Sequence, residues 1–164
     1  MRIASQITAI TATLAGALLF SAGATASQQA FHRAYSASAG DHFYTTSVAE
    51  IANAALLGYA YEGIACNLVT SNDPLVSAPL YRAYSPGQAD HFYTANVSEL
   101  INAISALGYQ YEGISGFVTV TGTDFLRAYS GAQGDHFYTT NFQEWINSAV
   151  NFGYTLEGSA GKVL

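Results

Sequence analysis

An Asp-His pair occurs three times in this chain, as Asp41-His42, Asp90-His91 and Asp135-His136. Each opens the same pentapeptide, Asp-His-Phe-Tyr-Thr, and each follows an Arg-Ala-Tyr-Ser segment (33–36, 82–85 and 127–130). Every copy therefore gathers a guanidinium, a carboxylate, an imidazole and two phenols. The sets are Arg33, Tyr35, Asp41, His42 and Tyr44; Arg82, Tyr84, Asp90, His91 and Tyr93; and Arg127, Tyr129, Asp135, His136 and Tyr138. Carboxylate and imidazole bond to hydroxyls, and an aromatic ring offers a plate for C–H groups. Side chains of these types suit a sugar, so all fifteen are candidate ligand-binding residues.

Other chemistries compete for the same residues. Three His form a known zinc set, but the rings must converge, and no local His-x-x-x-His spacing helps them. A half-buried His bonded to a nearby Asp, Glu or Tyr is the plainer reading, and a polar contact in a sugar pocket is the third. The arginines sit in apolar, Tyr-rich surroundings, where a guanidinium needs a carboxylate partner. Within each unit the repeated Asp, or a closing Glu (Glu62, Glu112 or Glu157), can supply one. The alternative is an Arg that touches ligand.

Catalysis asks for differentiated groups, such as two carboxylates of separated pKa flanking one bond. Here each copy carries nearly the same set. Neither Gly-x-Ser-x-Gly nor His-Glu-x-x-His occurs. The sequence thus predicts no catalytic residue, no metal and no cofactor. Similar sites in triplicate are what multivalent binding uses, because linked weak sites gain avidity.

The elements that must position these residues also repeat. The units run 31–69, 80–120 and 125–164, with linkers at 70–79 and 121–124. A period in this range builds arrays, propellers or rings. Each unit reads strand, turn, strand, helix, strand. In unit two Leu80, Arg82 and Tyr84 alternate with Tyr81, Ala83 and Ser85, and Pro86-Gly87-Gln88 is turn chemistry. Ser47, Asn96 and Asn141 stand three residues before Glu50, Glu99 and Glu144, a capping-box pattern that assigns these glutamates to helix starts. Val97, Leu100, Ile101, Ile104 and Leu107 then mark one helical face, as do Phe142, Trp145, Ile146, Ala149 and Phe152. Gly58, Gly108 and Gly153 fall where a left-handed cap ends a helix. Asn53, Asn102 and Asn147 recur inside the helices, which asks for a partner such as a loop backbone. Phe43, Phe92 and Phe137 are expected in the core, opposite His and Tyr. The fold class is α+β: three repeats of roughly 45 residues in one closed pseudo-threefold domain. A β-trefoil also has three repeats, but it lacks a capped helix in each.

Composition sets the remaining bounds. Residues 1–26 read as a signal peptide: Arg2, an apolar stretch from Ile7 to Phe20, and the small-x-small Ala24-Thr25-Ala26. The apolar stretch is short for a membrane span. Export with cleavage after Ala26 is expected, leaving a single domain over 27–164. The formal net charge is −6, and Arg2 is one of only five basic residues. Phosphate backbones call for clustered Lys and Arg, so nucleic acid is excluded as a partner, as is membrane insertion after signal removal. The one cysteine, Cys66, aligns with Gly116 and Gly161, allows no intrachain disulfide and is expected to be buried.

The units of this chain, exemplified by Tyr-Arg-Ala-Tyr-Ser, Asp-His-Phe-Tyr-Thr and Gly-Tyr-x-Tyr-Glu-Gly in unit two, resemble a family of secreted bacterial and fungal repeats of unknown function. The resemblance covers the mature chain. Members are often appended to enzymes acting on cell walls or polysaccharides, which implies an extracellular setting and a glycan or cell-wall partner. Ser36, Ser85 and Ser130 stand where the family often has Asn, and His32 replaces the Tyr found at Tyr81. Together the residues and the resemblance predict a secreted, multivalent carbohydrate-binding module. A structural or protein-interaction repeat is the alternative, and a glycan hydrolase a more distant one.

Overall fold

The computed structural model describes residues 27–70 and 77–164, so the expected signal peptide and most of the first linker lie outside the described residues. Among the described residues nine strands and three helices follow one another as strand, strand, helix, strand in each unit. Unit one holds β1 (Gln28–Ser36), β2 (Asp41–Thr45), α1 (Val48–Leu56) and β3 (Ala60–Val69). Unit two holds β4 (Ser77–Ser85), β5 (Asp90–Thr94), α2 (Val97–Ala106) and β6 (Gln110–Thr119). Unit three holds β7 (Thr123–Ser130), β8 (Asp135–Thr139), α3 (Phe142–Phe152) and β9 (Thr155–Val163). The protein is thus a mixed α+β fold dominated by antiparallel sheet. Strands begin earlier than the motif boundaries: Ser77 to Pro79 and Thr123-Asp124, read as linker, already pair with β6 and β9.

Within each unit the first strand is central and pairs antiparallel with both others. The hairpin register sets Arg33 opposite Tyr44, Arg82 opposite Tyr93 and Arg127 opposite Tyr138. On its other edge the first strand slips register twice, for example between Leu80 and Tyr81 and between Arg82 and Ala83. The extra residues, Ser115 and Glu112, lie on β6, so the first strand keeps the expected alternation: Leu80 joins the central core and Ala83 faces the helix side. Units join through single bridges, Val69 to Phe117 and Thr119 to Lys162. Asn67 and Leu164 also exchange backbone bonds at 2.8 and 3.0 Å. The sheet itself stays open, because β2, β5 and β8 each pair on one side only.

The central core draws on all three units: Phe31, Tyr44 and Leu68; Leu80, Tyr93 and Val118; Phe125, Tyr138 and Val163. Cys66 is buried and free at its edge, as expected. Phe92 and Phe137 leave this core for small clusters under α2 and α3, where they pack against Tyr109 and Tyr154. Phe43 likewise packs edge-on against Tyr59. The parity expected for the pentapeptide is therefore reversed, with Tyr pointing to the centre and Phe to the helix side.

The helices start as read. Ser47, Asn96 and Asn141 accept the backbone N–H of Glu50, Glu99 and Glu144. Gly58, Gly108 and Gly153 take φ of 91°, 78° and 74°, and the next residue's N–H folds back onto the helix. The apolar stripes are only partly covered, because each helix rests on a small cluster. In α2, Leu100 and Ala103 are buried while Val97, Ile101 and Leu107 are more than half exposed.

Candidate functional site

The Asp-His pairs do not bond within themselves. Each His reaches the Asp of another unit. His42 donates from its backbone N–H to Asp135 Oδ1 at 2.8 Å and from its ring Nδ1 to Oδ2 at 2.7 Å. His91 does the same to Asp41 at 3.0 and 2.7 Å, and His136 to Asp90 at 2.8 and 2.6 Å. A carboxylate that accepts at Oδ2 assigns the ring proton to Nδ1. Each aspartate also accepts a tyrosine hydroxyl from its own unit: Tyr59 on Asp41 at 2.6 Å, Tyr109 on Asp90, and Tyr154 on Asp135 at 2.5 Å. Burial first, and then the adjacent aspartate, push these three phenols well above the usual tyrosine range.

The arginines also cross between units. Arg33 grips Glu144 with both terminal nitrogens, at 3.3 and 3.0 Å, and its Nε meets Glu62 of its own unit at 2.8 Å. Arg82 binds Glu50 and Glu112 in the same way, and Arg127 binds Glu99 and Glu157. The expected pair with the closing glutamate is present. The bidentate partner is the glutamate expected to close the capping box, which it does not do. Thr45, Thr94 and Thr139 take the cap's N–H instead and donate their hydroxyls to Glu50, Glu99 and Glu144. The glutamates are thereby free to turn to the arginine. The arginine bond holds Glu50 and Glu99 below the ordinary carboxylate value despite burial. At Glu144 burial is the largest influence and pushes upward, but Arg33 and Thr139 outweigh it and the net direction is down.

Aromatic rings complete the junction. Tyr35 lies over the His42 ring with centroids 4.4 Å apart, and Phe137 meets the same imidazole edge-on at 5.1 Å. The Arg33 guanidinium sits 5.4 Å above Phe137. Equivalent stacks join Tyr84, His91, Phe43 and Arg82, and Tyr129, His136, Phe92 and Arg127. Beside the first stack opens a cleft of 540 Å³ between unit one and α3, lined among others by Arg33, Tyr35, His42, Glu62, Glu144 and Asn147. A smaller one of 200 Å³ lies against α2, with Arg127, His136, Glu157 and Asn102 on its walls.

This arrangement sorts the fifteen candidates. Arg33, Arg82 and Arg127 with His42 and His91 are partly buried, and His136 is buried; Arg33 and His42 border the cleft against α3, and Arg127 and His136 the one against α2. Tyr35, Tyr84 and Tyr129 keep part of their rings exposed. Two groups leave the candidate set. Tyr44, Tyr93 and Tyr138 are fully buried and bond only to one another's backbone, so they have no face for a ligand. Asp41, Asp90 and Asp135 are likewise fully buried, with both oxygens engaged. Their carboxylates converge within 4.8 Å of one another, the one grouping among the described residues close enough to hold a metal ion. The three hydrogen bonds each receives already occupy it. The helix asparagines do not bond to a loop backbone: Asn147 accepts from Gln143, and all three face outward. Outside the fifteen candidates the junction also draws on Phe137, Ser148, Asn151 and Phe152. Phe137 repeats in every unit and carries no signal of its own, whereas the departure of α3 from its sister helices at 148, 151 and 152 signals the other three.

A family profile described as "Domain of unknown function (DUF5648)" matches residues 30–164. No curated protein matches the chain. No solved structure matches it.

Proposed function

We propose that this chain, which belongs to the DUF5648 family of domains of unknown function, is a secreted, non-catalytic carbohydrate-binding module whose ligand sites are the clefts between units. In this reading the three repeats form one pseudo-threefold assembly. Each His, Arg and Tyr from one unit meets a Phe, Asp and Glu from another, and the same junction recurs. The observation that carries the proposal is the cleft beside Tyr35. There a partly exposed phenol ring, two carboxylates and the Asn147 amide surround 540 Å³ of open space. Concave sites with an apolar plate and a few fixed polar groups are the usual form of small-molecule sites.

The same geometry speaks against hydrolysis. A glycosidase needs one carboxyl able to carry a proton beside one that stays charged. Here Glu62 and Glu144 share one arginine, and the aspartates are sealed. The test is retention of residues 27–164 on a panel of insoluble cell-wall polysaccharides together with a glycan array. Saturable retention that free oligosaccharide competes away is the expected result. No retention on any member overturns the proposal.

A second reading, a secreted protein-interaction module, draws on one observation: the exposed line Val97, Ile101, Ile104 and Leu107 along α2. Capture of a protein partner that excess glycan leaves unchanged would favour it.

A further inference from the structure

The three junctions share their ion pairs and stacks but differ in the helix that walls them. In α3 the positions after Asn147 are Ser148, Asn151 and Phe152. In α2 the corresponding residues are Ala103, Ala106 and Leu107. The helix α1 has nine residues against eleven in α3, and the residue before its closing glycine is Leu57 where α3 has Phe152. Only the α3 wall therefore adds polar groups and a ring. Asn151 is exposed, its side-chain amide has no hydrogen-bond partner among the described residues, and it lines the 540 Å³ cleft. Phe152, 70% exposed, lines the same cleft. The cleft against α2 holds 200 Å³.

The charges in the cleft select the ligand. Arg33 has all three nitrogens committed, two to Glu144 and one to Glu62. His42 spends Nδ1 on Asp135. The remaining basic side chains among the described residues are paired as well: Arg82 and Arg127 with glutamates, Lys162 with Asp124. Among the described residues no Lys or Arg is free to meet a uronate, sulfate or phosphate. Glu62 and Glu144 sit at the mouth about a third and two-fifths exposed, and their carboxylates can accept further bonds.

We infer that the cleft between unit one and α3 is the dominant ligand site, and that it takes a pyranose chain rich in hydrogen-bond donors, hydroxyl or ammonium, and free of acidic groups. The inference rests on the carbohydrate-binding reading and narrows it. The sugar's C–H face lies against Tyr35 or Phe152. Its donors meet Glu62, Glu144 and the Asn147 and Asn151 amides. An acidic sugar instead brings its charge to two carboxylates with no free Lys or Arg among the described residues, which repels it.

The test is calorimetric titration of residues 27–164 with β-1,4-linked hexamers of glucose, N-acetylglucosamine and glucosamine, and with a hexamer of galacturonic acid. The proteins are the wild type, Phe152→Ala, Asn151→Ala and the α2 control Leu107→Ala. All three substituted residues are surface-exposed, and circular dichroism checks each fold. The expected result is one strong site per chain for at least one non-acidic hexamer, with galacturonate weaker by tenfold or more. Phe152→Ala and Asn151→Ala weaken binding by about tenfold, while Leu107→Ala leaves it unchanged. Equal loss from Leu107→Ala and Phe152→Ala, or two or three equal sites, overturns the dominance of the α3 cleft and leaves carbohydrate binding standing. Galacturonate binding as tight as the others overturns the ligand class alone. Absence of binding to every hexamer and to the polysaccharide panel removes both readings.

Discussion

The hydroxyl of Tyr44 donates to the backbone carbonyl of Tyr138 at 2.7 Å and accepts the backbone N–H of the same residue at 2.8 Å. Tyr93 addresses Tyr44 in the same way, and Tyr138 addresses Tyr93. Six hydrogen bonds thus run in a cycle through the buried centre and replace the strand pairing that adjacent hairpins lack there. Replacing Tyr93 by Phe keeps the ring but strands the N–H and the carbonyl of Tyr44. An unsatisfied buried group costs about 1–3 kcal/mol. Tyr93→Phe should therefore lower stability by about 3 kcal/mol in urea unfolding, with little change in the slope. A loss below about 1 kcal/mol would mean that water or a shifted backbone replaces the hydroxyl.

The order of elements, the caps and the helix-ending glycines were legible because they are local. Ser47 three residues before Glu50, and Gly58 after Leu57, act within one or two turns of chain. The hairpin was legible for the same reason, as its two strands flank one short turn, whereas the register that sets Arg33 opposite Tyr44 was not. The partners of Asp41 and Glu50 were not. Both residues find candidates inside their own unit, Arg33 and the helix start, and their actual partners, His91 and Arg82, lie in the next unit. Similar repeats hide such exchanges, since every copy offers the same motif residue types. The inward turn of Tyr44 was also hidden, because a pentapeptide with Phe and Tyr adjacent does not say which ring faces the centre.

His91 serves the fold before it serves a ligand. It supplies two of the three hydrogen bonds that Asp41 receives, one from the backbone and one from the ring. His91→Ala leaves a fully buried carboxylate short of a partner. Losing a hydrogen bond to a buried charged group costs about 1.5–3 kcal/mol. The expected outcome is a large drop in thermal midpoint, and His91→Ala combined with Asp41→Asn should recover part of it. If His91→Ala abolishes glycan binding with its midpoint unchanged, the imidazole is a ligand contact and the framework role is wrong.

Acid should loosen the unit junctions. Glu50, Glu99 and Glu144 are held below their ordinary value of 4.5 in the folded protein. A depressed carboxylate contributes stability that is complete above the unfolded value and is lost as pH falls through the folded one. Stability should thus be insensitive to these groups near neutrality and decline from about pH 4.5 downward. Because the carboxylates are about two-fifths exposed, solvent and salt weaken each contribution. The triple variant Glu50→Gln, Glu99→Gln, Glu144→Gln should be less stable at pH 7 and converge toward the wild type at pH 3. Parallel curves with a constant gap would refute the assignment.

Cys66 should be inert while the chain is folded. Burial pushes its thiol up to about 12, so little thiolate exists at neutral pH. Iodoacetamide at pH 8 should label it slowly in buffer and fast in denaturant. Equal rates would place the thiol at the surface.

The turn between β4 and β5 contains the one non-glycine residue with positive φ among the described residues, Ala89 at 57°. Its counterparts Gly40 and Gly134 have φ of 71° and 72°. A side chain in the left-handed region costs about 1–2 kcal/mol against the right-handed one, a penalty glycine avoids. Glycine loses more backbone freedom on folding, which offsets part of the gain. Ala89→Gly should therefore stabilise the protein by about 0.5–1 kcal/mol, whereas Gly40→Ala should destabilise it by a similar amount. An added Cβ at Gly40 meets Gln133 at ordinary contact distance, 3.6–3.7 Å, so backbone strain alone sets that sign. Thermal unfolding of the two variants measures the same strain from opposite directions. Shifts of the same sign would show that packing at the turn, and not φ, controls the position.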